Sequence, residues 1–231
     1  MKINKPFALA LVMIAVFAVL FSSVNRVNNL ARTAGINSQN IQTIIIDAGH
    51  GGFDPGAEAN DVVEKDVNLE IALNLRDLLL VMGFEVIMIR DDDISVHDPH
   101  ATTIRQKKRT DLLNRLEIIN SNQHAVFVSI HQNTYPGQSR GAQVFYTPKN
   151  DDAKLLADAI QTSIRENLQP ENDRVIRKTN NDIYILYNAK IPAVLVECGF
   201  LTNPAEAELL TQEEYQQKMA YAILIGILQY L

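Results

Sequence analysis

Four side chains able to bind a metal or move a proton stand where apolar runs begin or stop. IIIDAGH ends at His50, VFVSIH at His131 and AVLVE at Glu197, while Glu64 stands three residues ahead of Val67, the first of an apolar-periodic series. Two imidazoles and a carboxylate form a donor set suited to catalytic zinc, with the fourth position left for water. Zinc in such a set lowers the pKa of that water toward ~7 and polarises a carbonyl. Glu197, left off the metal, would take the water's proton and pass it to a leaving amine. Singly, each residue reads more plainly: a strand-end histidine caps a loop, and an acid in a first helical turn complements the helix dipole. Their coincidence calls for the chemical reading. The stretch GHGGFDPG around His50 lets the backbone turn sharply and leaves no side chains beside the imidazole.

Other candidates fit this chemistry less well. His97 and His100 have an H-x-x-H spacing but lie in an Asp- and Pro-rich loop without a rigid strand beneath them. His124 precedes a strand, at its amino end, and reads as a surface residue. Asp47 is expected to orient or satisfy local backbone rather than to bind zinc. Cys198 follows Glu197 directly, so strand alternation points it away as a small buried hydrophobe. GHGGFDPG matches neither phosphate-binding glycine pattern, and no serine elbow is present.

The elements that must position these residues alternate in type. Thr43 to Asp47 is a short β-branched run, and Glu64 to Met82 a helix carrying Val67, Ile71, Leu75, Leu78 and Met82 on one stripe. Gly83 ends that helix, Phe84 to Arg90 reads as a strand, and Asp91 to Thr103 as a loop. A helix over Ile104 to Ile119 precedes a buried strand over Ala125 to His131. A strand over Ala142 to Tyr146, a helix over Ala153 to Leu168 and an apolar strand over Ala193 to Glu197 follow. Two helices finish the chain, the last from Glu213 to Leu231. This order predicts a single α/β domain, a mostly parallel twisted sheet with helices on both faces. Ligands of such sheets bind beyond the carboxyl ends of the strands. Helices that follow parallel strands start at that same edge, which brings Glu64 toward His50.

The 231 residues, 47% of them hydrophobic, suffice for one domain with a substantial core. A net charge of -6 argues against a nucleic-acid partner. One cysteine excludes an intrachain disulfide. Lys2 and Lys5 precede an uncharged apolar run from Phe7 to Phe21, at the upper end for a signal-peptide core and short of the ~18 to 20 residues of a spanning helix. Residues 1–25 are therefore expected to be a signal peptide or N-terminal membrane anchor, residues 26–40 a polar tether, and residues 41–231 the functional domain, placed outside the cytoplasm.

Four blocks, IIIDAGHGGFDPGA, VVEKDVNLEIALNL, FVSIHQN and PAVLVECGFLTNP, together resemble the zinc-dependent N-acetylmuramoyl-L-alanine amidases of bacterial cell-wall metabolism, from about residue 42 to the C-terminus. The resemblance implies one zinc per chain on His50, Glu64 and His131, with Glu197 as the catalytic carboxylate, and so a zinc amidase domain over residues 41–231. It implies hydrolysis of the amide between N-acetylmuramic acid and L-alanine of peptidoglycan. A compact catalytic domain behind one N-terminal segment looks most like the spore-cortex, germination-specific branch of endospore formers. There, peptide removal precedes muramic-δ-lactam formation, and the enzyme acts at the forespore membranes and cortex. Ala48 stands where the family usually has proline, and Gln132 where a small or apolar residue is common, a change expected to alter the grip on the stem peptide. Two other readings share parts of this picture: a zinc carboxypeptidase or endopeptidase acting on the stem peptide, and a non-catalytic peptidoglycan-binding module. With no long autoinhibitory insertion, restraint is expected from expression, localisation or a separate activator protein.

Overall fold

A computed structural model describes residues 43–137 and 139–231; the expected N-terminal segment and tether lie outside the described residues. Six strands form one sheet in the order β4–β1–β5–β8–β6–β7. Its centre is β1 (Thr43–Ala48), β5 (Ala125–Asn133) and β8 (Ala193–Phe200), paired in parallel, with β4 (Glu85–Met88) parallel at one side. On the other side β6 (Gln143–Tyr146) runs antiparallel to β8, and the two-residue β7 (Arg177–Lys178) pairs parallel to β6. The sheet is thus mostly parallel, as the alternation of elements predicts, with one reversal at β6.

The central strands read as continuous apolar runs because both their faces are covered. Ile44 and Ile46 of β1 pack with Val126, Val128 and Ile130 of β5 in one layer, whereas Ile45 and Phe127 enter the other. The first layer is closed by α1 (Glu64–Val81), α3 (Asp152–Asn167) and α6 (Glu213–Tyr230), with α5 (Pro204–Leu210) beside them. The second layer is closed by α2 (Ile104–Ser121) and the short α4 (Tyr184–Asn188).

Helix α1 faces the sheet through Val67, Ile71, Leu75 and Leu79, a repeat of four that keeps one stripe inward. Its end is closed by Phe84 N–H donating to Leu79 O and Gly83 N–H to Leu80 O, the paired bonds of a Schellman cap. The cap leaves Leu78 and Met82 at the rim rather than in the core, so the inward stripe stops at Leu79. Helix α2 starts in a capping box: Gln106 N–H donates to Thr103 Oγ1 while the Gln106 side chain accepts from Thr103 N–H. Three small elements carry little periodic signal and are absent from the sequence reading: the hairpin β2 (Glu58–Ala59) and β3 (Val62–Val63), strand β7, and α4.

Candidate active site

His50, Glu64 and His131 meet at the carboxyl edge of β1 and β5. The residue β1 delivers first, Asp47, is followed by a turn in which His50 adopts a left-handed backbone, φ 63°. For a non-glycine residue that conformation is uncommon and needs outside support. Arg115 Nη2 donates to His50 O (2.7 Å), and a two-bond bridge between Gly51 and Asp54 closes the turn behind it. Asp54 Oδ2 sits 3.1 Å from His50 Nδ1 and fixes the ring, leaving Nε2 toward the cluster.

Glu64 enters from the first turn of α1, itself placed by the β2–β3 hairpin; its N–H donates to Ala57 O (2.9 Å). Its Oε1 lies 2.8 Å from His131 Nδ1 and 3.2 Å from His50 Nε2, and its Oε2 accepts from Ala57 N–H (2.8 Å). The ligand atoms of the three residues all lie within 4.8 Å of one another. Two glycines make this approach geometrically allowed. A Cβ at Gly49 would lie 2.2 Å from the His131 ring, and one at Gly56 would lie 2.6 Å from Glu64 Oε2 and 2.7 Å from His50 Cδ2. The glycine-rich flanks of His50 therefore serve close packing of ligands against backbone.

Glu197 stands next to His131 because β5 and β8 pair in register, His131 opposite Glu197. Neighbours across a register point to the same face. Glu197 Oε2 is buried and has no hydrogen-bond partner among the described residues. Burial pushes its pKa up to about 7, the nearby histidines pull it down and Glu64 pushes it further up. A carboxyl poised near neutrality can both accept and return a proton. His50 moves in the opposite sense to its own burial: burial lowers its pKa, but hydrogen bonds and charge from Asp54 and Glu64 outweigh this and raise it to about 9. Glu64 is held far below the usual carboxylate range by His131 and His50, against the opposing effect of burial. Two histidines and a carboxylate at these separations fit the donor set of a zinc site, and the unpartnered Glu197 oxygen beside them fits a group reserved for substrate or water.

A cavity of about 220 Å³ opens onto His50 and His131, walled by Asp54, Lys108 and Arg115. A second, of about 280 Å³, reaches Glu197 and is walled by Phe127, Leu195 and Ile185. Leu112, His131 and Ile185 line both, so α2 and α4 border the two adjacent cavities at the strand ends. A larger hollow of about 700 Å³ near Glu206 and Tyr215 lies on the other layer; Glu206 there accepts from Gly141 and Phe200 N–H and serves the backbone.

The residues set aside by sequence stay outside the cluster. His97 packs edge-on against Phe53 and bonds Ser95, His100 and His124 are exposed, and Cys198 is fully buried in the α1–α3–α6 layer with its thiol pKa pushed up by burial. Asp47 pairs with Arg115 and accepts from Ser129 Oγ (2.8 Å), so its partners are distant side chains rather than nearby backbone. Gln132 overturns an expectation. It is 3% exposed and bonds Asn68 in the α1 layer, so it cannot grip a stem peptide in the cleft. Four residues without a marked sequence signal also hold the site: Asp54, Asn68, Lys108 and Arg115. Asp54, four residues after His50, and Asn68, one turn after Glu64, had usable spacing. Arg115 and Lys108 sit on a polar helix with no stripe to mark them.

Fold and site define a class, an α/β domain with a two-histidine, two-carboxylate cluster at the carboxyl edge of a mostly parallel sheet. The chain belongs to the N-acetylmuramoyl-L-alanine amidase family, whose model matches residues 44–229. It is 40% identical over 188 residues to the germination-specific N-acetylmuramoyl-L-alanine amidase of Bacillus subtilis, covering 81% of this chain and 78% of that one. Among solved structures it resembles the CwlD amidase of Clostridioides difficile in complex with the GerS lipoprotein, with 46% identity, TM-score 0.78, and coverage of 82% of this chain and 98% of that one. An N-acetylmuramoyl-L-alanine amidase of Clostridium difficile 630 matches at 34% identity and TM-score 0.71, over 83% and 97% of the two chains. The protein hydrolyses the amide between N-acetylmuramic acid and L-alanine in peptidoglycan.

Proposed function

We propose that this amidase is zinc-dependent, holding one zinc through His50, Glu64 and His131, with Glu197 as its proton carrier. The observation that carries the reading is the convergence of three ligand atoms within 4.8 Å beside a buried carboxylate oxygen that has no partner. Zinc at this position supplies Lewis acidity toward the scissile carbonyl and toward water. The chain supplies the rest. Asp54 fixes His50 by its Nδ1, leaving Nε2 as the ligand atom. Glu197 Oε2 accepts a proton from the attacking water and returns it to the nitrogen of L-alanine as the amide C–N bond breaks.

We further propose that the enzyme works outside the cytoplasm on spore cortex, as a step toward muramic-δ-lactam, delivered by residues 1–25 with residues 26–40 as tether. Support comes from the apolar run Phe7 to Phe21 behind Lys2 and Lys5, and from similarity to the germination-specific amidase. Among the described residues no helix is long and apolar enough to cross a membrane. The likeness to an amidase solved in complex with a lipoprotein supports a separate protein partner here, which we read as an activator.

Mass spectrometry of digested peptidoglycan, beside metal analysis of the purified protein, tests these readings together. Free stem peptide with peptide-less glycan is expected from a zinc-loaded protein. Shortened peptide would indicate a carboxypeptidase or endopeptidase, and no product a binding module. Removal of residues 1–25 is expected to leave a soluble, folded enzyme that is misplaced in cells; an insoluble truncation would put the apolar run in the core. Full zinc loading and full rate without any partner would remove the ground for an activator.

A further inference from the structure

Under the histidine–glutamate cluster runs a second polar chain, entirely buried. Gln132 follows His131 on β5, so its side chain leaves the opposite face of the sheet and meets α1. Gln132 Nε2 donates to Asn68 Oδ1 (3.1 Å). Asn68 lies one turn after Glu64 and is fully buried; its Nδ2 donates to Gly49 O (3.1 Å) and approaches Glu64 Oε1 (3.4 Å). The backbone N–H of Gln132 also donates to Glu64 Oε1 (3.2 Å).

This chain is chemically directional. An Asn amide can present either its oxygen or its nitrogen to a neighbour, and only the nitrogen is compatible with a carboxylate. Gly49 O and the Glu64 carboxylate can only accept, so both require the Asn68 NH₂, and the Asn68 Oδ1 this leaves is met by the donor Gln132 Nε2. Gln132 donates here while its own Oε1 is buried with no nitrogen or oxygen donor among the described residues. An apolar side chain would fill the same space but would leave the buried Asn68 Oδ1 without its Gln132 donor and Asn68 free to shift from Glu64.

We propose that Gln132, acting through Asn68, is a positioning residue for Glu64 that sets the carboxylate toward His50 and His131 before metal arrives. The inference rests on the reading of Glu64 as a zinc ligand. Partners of this kind typically change metal affinity by ~10–100-fold when removed.

The test is zinc affinity of the metal-free full-length protein, by competition with a chromophoric chelator, for Gln132→Met and the native chain. The absorption spectrum of the cobalt-substituted forms and the melting temperature of the metal-free forms accompany it. Gln132→Met is expected to weaken zinc binding by roughly 10–100-fold and to shift the cobalt bands, with no matching fall in the metal-free melting temperature. Zinc affinity within about two-fold of native and an unchanged cobalt spectrum would overturn the inference. Should Gln132→Met not fold, Gln132→Asn decides by the same measurements, since it keeps the amide but is too short to reach Asn68. Glu64→Gln separates the two readings. Native zinc affinity in Glu64→Gln would sink the ligand assignment and this inference with it, whereas lost zinc there beside native affinity in Gln132→Met overturns the inference alone.

Discussion

Two buried charged clusters lie side by side at the carboxyl edge of the sheet, and they differ in what they leave unsatisfied. In the first, Asp47 bonds Arg115 and Ser129, and Arg115 bonds Asp111 (2.6 Å) and the backbone of His50. All polar atoms of that cluster's side chains find partners, and nothing in it faces the cleft unpaired. In the second, three ligand atoms crowd together, and Glu197 Oε2 has no partner among the described residues. A closed network of hydrogen bonds holds structure, while an open one holds a place for something else. The first cluster supports the turn that carries His50, so the second depends on it.

The largest effects are expected in the open cluster. Glu64→Ala should lose zinc and, as a consequence, all measurable peptide release. Glu197→Ala should keep zinc and a near-native fold while turnover falls by roughly 10² to 10⁴, the usual worth of a positioned acid or base. Metal content of both variants beside a peptide-release assay separates the roles. A zinc-replete Glu64→Ala with a zinc-free Glu197→Ala would exchange the two assignments.

The closed cluster should answer in stability. Arg115→Leu strands Asp47 as a buried charge and is expected to cost about 3–5 kcal/mol in urea unfolding. A loss well under that range would mean Asp47 finds water or another cation, and that the cluster is less closed than its bonds imply. Its pH dependence follows in sign. Burial acts to raise the Asp47 pKa, but Arg115, His131 and Ser129 outweigh burial and lower it. The pair therefore stabilises the fold fully above the unfolded-state value of about 3.9, and that stability drains away as pH falls through the lower folded value. Unfolding free energy measured below pH 4 should fall less steeply in Asp47→Asn than in the native chain. Parallel slopes would place the acid sensitivity elsewhere.

The smallest effect is expected at Cys198, which neighbours Glu197 in sequence yet faces the other layer. Cys198→Ser should retain zinc and most activity. Loss of metal in that variant would bring a thiolate into the site and undo the boundary between the two layers.

The strands that carry the site were legible because burial on both faces leaves β1, β5 and β8 nearly unbroken apolar runs, each stopping at the residue that matters. The α1 stripe was legible for the same reason, up to its capped end. What failed to show were short elements and long-range partners. A five-residue helix such as α4 has no room for a period, yet it supplies Ile185 to the cleft. The reversed direction of β6 depends on how β8 offers its free edge, which local pattern does not encode.

By itself the sequence determined which residues could do chemistry: His50, Glu64, His131 and Glu197 are named by the ends of their apolar runs, since hydrophobic burial is a local, periodic signal. Only the tertiary structure decided how they are held. The left-handed turn at His50 needs Arg115 from a helix 65 residues away, and Glu64 needs an amide chain that starts 68 residues later on β5. Hydrogen bonds between such distant groups leave no periodicity along the chain, because their geometry exists only once the sheet has brought the two segments together.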